Sequence, residues 1–279
     1  MKNSCLLLLL ALSSPAWGQT SYTGTIGQLS IELTLDDPTG AATGVYLYSR
    51  IGAPLALSGT LKGNALTLTE KDARGKPTAT FQLPGYNPAD SICTGTWRNL
   101  ATSKQLPLVL TARRGPAQNL LQAASLPKAY VKVRLPTADA QSLSCVQLLE
   151  KGTGRLMQEI ALANCRPMGT SSVSVADYNF DGLPDFAVFE ASYAGANTSS
   201  QYFLYDPASR RFVKSSFKGV SLEFDSQKKL ITERNASGAS TTTAEYQVVR
   251  NKMVLVARHC YKYDEKKHTL VERKLSECE

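Results

Sequence analysis

Nine residues, Asp177-Tyr-Asn-Phe-Asp-Gly-Leu-Pro-Asp185, carry the densest chemical signal in this chain. In the pattern D-x-N-x-D-G-x-x-D, three carboxylates and a carboxamide crowd one tight turn, and such crowding is relieved by a cation. Asp177, Asn179 and Asp181 offer side-chain oxygens at positions 1, 3 and 5, Leu183 offers its carbonyl at 7, and Asp185 closes the shell at 9. Gly182 lets the chain reverse. Hard oxygen donors on a flexible loop favour calcium over magnesium, which demands a tighter octahedron, and the lack of thiolate or imidazole disfavours transition metals. Position 12 is Val188 where a helix-loop-helix calcium site places a bidentate Glu. The flanks, Ser172 to Ala176 and Phe186 to Phe189, read as strands instead. The plain alternative is a hairpin turn that binds nothing, because Asp, Asn and Gly favour turns in any case.

Other chemistry is thin. A hydrolase of the triad kind needs a base, and the chain has only His259 and His268, both near a closing hairpin and both read as structural or surface residues. The pattern S-x-x-K occurs twice, at Ser215 to Lys218 and Ser226 to Lys229, without the companion motifs of penicillin-recognising enzymes. Paired acids of a glycosidase need only meet in space, but the densest carboxylates here are better explained as metal ligands. The chain reads as a non-enzyme.

Residues 1 to 18 read as a secretory signal, with Lys2, an apolar run from Cys5 to Leu12, and Ala16-Trp17-Gly18 before the cleavage point. That predicts a periplasmic or secreted protein, soluble after cleavage, with no membrane span. Five cysteines remain. Cys145 with Cys165 and Cys260 with Cys278 flank plausible hairpins and are the expected disulfides, which leaves Cys93 as a free or intermolecular thiol. Zinc held by Cys260, Cys278 and the two histidines is the rival, without a recognised ligand spacing. The net charge of +8, concentrated toward the C-terminus, reads first as a solvated strand face. No nucleic-acid motif accompanies it.

These residues must be positioned by strands. Thr23-Gly-Thr-Ile26, Ser58-Gly-Thr-Leu61 and Thr94-Gly-Thr-Trp97 recur at intervals of about thirty-five residues, with alternating segments between them. Roughly eight strands over residues 20 to 113 predict a small β-barrel or curled meander, with each repeated glycine at a bulge or close strand approach. Residues 114 to 128, including Asn119-Leu-Leu-Gln-Ala-Ala124, read as a linker or short helix. Alternation resumes over 129 to 279, where roughly twelve strands predict a larger antiparallel β domain. The fold class is all-β.

The stretch Val175-Ala-Asp-Tyr-Asn-Phe-Asp-Gly-Leu-Pro-Asp-Phe186 resembles the calcium loop of integrin-type propeller blades. With Gln201-Tyr-Phe-Leu-Tyr-Asp-Pro207, Arg211-Phe-Val213, Leu222-Glu-Phe-Asp225 and Lys229-Leu-Ile-Thr232 after it, residues 130 to 279 resemble exported bacterial immunity proteins that inhibit lysozyme-like secretion-system effectors. The resemblance implies a propeller-like calcium-binding domain and a peptidoglycan-cleaving enzyme as partner. Under that reading Ser192 to Thr198 is the loop presented to the enzyme, with Tyr193 as a rigid anchor and Asn197 as a hydrogen-bonding tip. A solvent loop without a partner is the plain alternative. The competing function is a calcium-dependent module that binds cell wall or glycan, with peptidoglycan itself as partner.

Overall fold

The computed structural model describes residues 19–36, 41–72, 74–137 and 140–278; the export signal expected over 1 to 18 lies outside them. The architecture is all-β. Among the described residues the only helical turns are two short 3-10 segments, Ala194–Ala196 and Leu275–Glu277. No helix there is long and apolar enough to cross a membrane.

Eight strands come first: β1 (Gln19–Ile26), β2 (Leu29–Asp36), β3 (Ala41–Tyr48), β4 (Leu55–Lys62), β5 (Ala65–Lys71), β6 (Pro77–Leu83), β7 (Ile92–Asn99) and β8 (Gln105–Ala112). Each pairs antiparallel with the next, and β1 pairs back to β8, which closes the barrel. Inward positions are apolar, and Tyr22, Ile31, Leu33, Leu68, Phe81 and Leu110 fill the interior. The repeated glycines have one shared cause. A Cβ at Gly24 would lie 2.0 Å from the Val109 carbonyl oxygen, at Gly59 1.8 Å from that of Thr67, and at Gly95 2.1 Å from that of Gln82. Only a residue without a side chain lets neighbouring strands approach so closely.

Three open antiparallel sheets follow. The first holds β9 (Gln118–Ser125), β10 (Ala129–Leu135), β11 (Cys145–Glu150) and β12 (Leu156–Ala161) in the order β12-β11-β10-β9. The second holds β13 (Val173–Ala176), β14 (Asp185–Ser192), β15 (Thr198–Asp206) and β16 (Arg211–Lys214). The third holds β17 (Leu222–Asp225), β18 (Leu230–Ser237), β19 (Ser240–Val249), β20 (Lys252–Asp264) and β21 (Thr269–Arg273). Consecutive up-and-down sheets of this kind are blade-like. One core lies between the first two sheets around Val133, Val146, Phe186 and Phe203, and a second lies between the last two around Tyr178, Tyr202, Phe217 and Ile231.

Two expectations are corrected here. The segment 114 to 128, expected as a linker or short helix, contains strand β9, whose backbone pairs with β10. It also packs on the barrel: Leu121 donates its N–H to Thr34 Oγ1 at 2.9 Å, and Ser21 Oγ donates to the Asn119 carbonyl at 2.9 Å. Long-range pairing thus overrides the helical propensity of Leu, Gln and Ala. The expected Cys145–Cys165 disulfide is not formed, and both thiols are buried and free, as is Cys93. Cys165 joins the apolar cluster with Val146, whereas Cys145 precedes Val146 on the strand and faces the other side of the pleat. Cys260 and Cys278 are bonded as expected, which removes both thiolates from any zinc site.

Candidate metal centre and partner loop

The acidic loop bridges β13 and β14, whose pairing runs from Val173 opposite Val188 to Ala176 opposite Asp185. Two aromatic residues fasten it from within. Tyr178 is buried edge-to-face against Tyr202 and Phe224, and its hydroxyl meets Ser174 Oγ at 2.8 Å. Phe180 packs on the same cluster in a left-handed conformation, φ 63°, and Gly182 takes φ 86° with open space around it. A left-handed Phe is uncommon and marks a turn whose surroundings over-determine it.

The side-chain oxygens organise the loop's own backbone. Asp177 accepts the N–H groups of Asp181 (3.1 Å) and Gly182 (2.8 Å), and Asp181 accepts that of Leu183 (2.8 Å), which fixes Leu183 in the turn. Asn179 is buried; its Oδ1 accepts the Asp181 N–H, while its amide nitrogen donates to Asp181 and, at 3.0 Å, to Asn251. Asp185 lies completely buried beneath the loop and accepts the N–H groups of Tyr178 (3.0 Å) and Tyr205 (2.8 Å). Burial pushes its carboxyl up to about 6; the two backbone donors pull it down, and the charges of Asp181 and Asp177 push it up.

This arrangement fits calcium in donor type and in charge. Three carboxylates repel one another, and among the described residues none of them has an ion-pair partner. Enclosure is less complete: among the described residues no three His, Cys, Asp or Glu side chains are gathered tightly enough to hold a metal. Ligation by the expected set therefore requires Asp177, Asn179 and Asp181 to redirect lone pairs from the loop toward a shared centre. Sequence reading missed Asn251 and Tyr205, which lie 72 and 20 residues from the groups they bond, and no local pattern announces them.

β14 leads from the acidic loop directly to Ser192 and the loop before β15. Tyr193 is 53% exposed, and its hydroxyl sits 3.1 Å from Ser199 Oγ, which in turn donates to Glu190 at 3.0 Å. Asn197 is the correction here, because it is buried and forms no exposed tip. Its amide nitrogen donates to the Ala194 and Ala236 carbonyls and to Asn235 Oδ1, and its Oδ1 accepts the Ala236 N–H at 3.0 Å. The loop lies so close to β18 that a Cβ at Gly195 would sit 2.4 Å from the Ala236 carbonyl oxygen. Asn197 is thus the brace and Tyr193 the exposed element.

The two histidines are engaged locally. His259 Nδ1 pairs with Glu272 at 2.7 Å, and His268 Nδ1 lies 3.3 Å from the Tyr263 hydroxyl.

No protein-family description matches the chain, and no curated protein matches it. Among solved structures, a Xanthomonas type IV secretion system related protein is 12% identical, over 92% of this chain and 99% of that one, with a TM-score of 0.32. A protein from Lactobacillus plantarum is 10% identical, over 92% and 95%, with a TM-score of 0.33. The WD40 domain of Toxoplasma gondii coronin is 9% identical, over 88% and 76%, with a TM-score of 0.28. Likenesses this distant do not bear on what the chain binds.

Proposed function

We propose that this chain is an exported, non-catalytic binding protein that acts in the periplasm as an inhibitor, or immunity protein, of a lysozyme-like peptidoglycan-cleaving effector. One observation carries the reading: a half-exposed tyrosine on a loop whose base is locked to the neighbouring sheet by a buried asparagine. Fixing a loop before it meets its partner removes ordering cost from association, and a tyrosine supplies large contact area with few rotatable bonds. Lysozyme-type clefts hold two carboxylates that act as acid and nucleophile across a sugar site. Tyr193 enters such a cleft with its ring in the sugar's place and its hydroxyl toward the acids, and it offers no glycosidic bond to cleave.

Asp177, Asn179, Asp181, the Leu183 carbonyl and Asp185 are the residues that would hold calcium, which supplies charge neutralisation at the turn that starts β14. Tyr178 and Phe180 anchor that turn to the aromatic core, and β14 transmits its position to Ser192.

The test is turnover of purified sacculi by a panel of lysozyme-fold hydrolases, including any encoded beside this chain, with calcium present. Inhibition by the wild-type chain and its loss in Tyr193→Ala is the expected result; no inhibition of any panel member contradicts the proposal. A second reading, a calcium-dependent cell-wall or glycan-binding module, draws on the exposed Tyr263 in the lysine-rich closing hairpin. It requires binding to sacculi with no enzyme present.

A further inference from the structure

The inner face of the third sheet is longer than the core it covers. Cross-strand pairing sets Ile231 opposite Tyr246, then Glu233 opposite Ala244 and Arg258, then Asn235 opposite Thr242 and Cys260. Directly opposed residues share a face, so these three rows lie side by side. The first row is apolar and joins the cluster with Tyr202 and Phe217. The other two floor a cleft of about 290 Å³. Its outer wall is the C-terminal hook, where Leu275 and Cys278 line the cleft and the bond to Cys260 pins the hook across this face.

The lining mixes donors and acceptors: Arg258 is its guanidinium, Asn235, Thr242, Thr243 and His259 can donate or accept, and Glu233 is its one carboxylate. Both oxygens of Glu233 are committed, to the Val220 N–H at 2.8 Å and the Tyr246 hydroxyl at 2.7 Å. Asn235 is exposed and spends its Oδ1 on Asn197, so its amide N–H groups are what it offers a ligand. Arg258 is exposed, reaches the Tyr246 hydroxyl through a side-chain hydrogen bond, and makes no ion pair among the described residues, so its remaining N–H groups are what it offers a ligand. Ala244, between Glu233 and Arg258, contributes only a methyl group and so creates the depression. A guanidinium beside an amide donor and a threonine hydroxyl is a donor set suited to a carboxylate. The volume is at the small end of ligand pockets and suits a monosaccharide.

We propose that this cleft binds a carboxylate carried on a small amino sugar, with Arg258 as its counter-ion. The inference rests on the cell-wall compartment of the proposed function; its counter-ion is Arg258 and not Tyr193, although Asn235 of the lining bonds the Asn197 that braces the Tyr193 loop.

The experiment is an NMR titration of the protein with N-acetylmuramic acid, with N-acetylglucosamine, which lacks the lactyl carboxylate, and with lactate, which lacks the sugar. Saturable shifts at Asn235, Thr242 and Arg258 with N-acetylmuramic acid are expected, with N-acetylglucosamine about tenfold weaker or more, as loss of a charge-assisted bond predicts, and with lactate weaker because the sugar's contacts are lost. Arg258→Gln abolishes the preference for N-acetylmuramic acid over N-acetylglucosamine while inhibition of hydrolases persists, so failure here and failure of the inhibitor reading are separate outcomes. Equal affinity for the two sugars, lactate binding as tightly as N-acetylmuramic acid, or no saturable shift with N-acetylmuramic acid overturns the proposal. Should Arg258→Gln perturb the fold, the three ligands on the unmodified chain still decide it.

Discussion

The barrel and the three sheets after it face the same problem, the unpaired edge of a β-sheet, and solve it differently. Pairing of β1 with β8 leaves the barrel without an edge. The later sheets stay open, and side-chain carboxamides meet backbone groups across the gaps between them. Gln122 accepts the Ser172 N–H and donates to the Gly169 carbonyl; Gln158 both donates to and accepts from Phe212; Asn197 does the same with Ala236. A carboxamide has the donor and acceptor of a peptide group, so each of these acts as a single extra rung of a ladder. Closure gives every barrel strand a paired neighbour on both sides. In the open region rigidity depends on a few identifiable side chains, and that is where loops can be braced or released by a ligand.

The largest effect expected from breaking this contrast lies in the barrel. Gly59→Ala drives a methyl group into the Thr67 carbonyl, and a loss of about 4 kcal/mol, read by denaturant unfolding, is expected from such backbone overlap. Next is the closing hairpin: replacing Cys260 and Cys278 by serine frees a segment of separation 18 and costs about 3 kcal/mol. Asn197→Ala strands the Ala236 N–H and costs about 2 kcal/mol, with faster hydrogen exchange confined to residues 192 to 198 and the β18–β19 hairpin. In the acidic loop, chelation lowers the melting temperature of the wild type by a few degrees, and Asp181→Ala removes that response. Exported calcium sites bind at about 0.1 to 1 mM, so the calcium arm of this assay needs millimolar metal. Smallest is Tyr193→Ala, an exposed position where stability changes by no more than about 0.5 kcal/mol while inhibition is lost.

Legibility in the sequence also divided between the two regions. The barrel was readable because each of its determinants is local: strand alternation, turn residues, and a Gly-Thr signature whose glycines meet a neighbouring backbone. The acidic loop was readable in outline for the same reason, since its flanking strands are adjacent in sequence and pair directly. What was not readable depends on groups distant along the chain. Strand β9 looks helical until β10 and the barrel are placed against it. Asn197 looks like a loop tip until Asn235 and Ala236, some forty residues later, turn out to be its partners. Cys145 and Cys165 flank a hairpin by spacing, yet Cys165 joins the apolar cluster around Val146 whereas Cys145, one residue before Val146 on β11, stays outside it.

Under the proposed function, metal at the acidic loop stiffens the Ser192 to Thr198 loop through β14 and leaves the barrel untouched. Hydrogen exchange followed by mass spectrometry, with millimolar calcium against chelator, tests it most directly. Protection that rises over residues 177 to 198 and stays constant over 19 to 112 is the predicted result. No change over 177 to 185, or a uniform change along the whole chain, contradicts it.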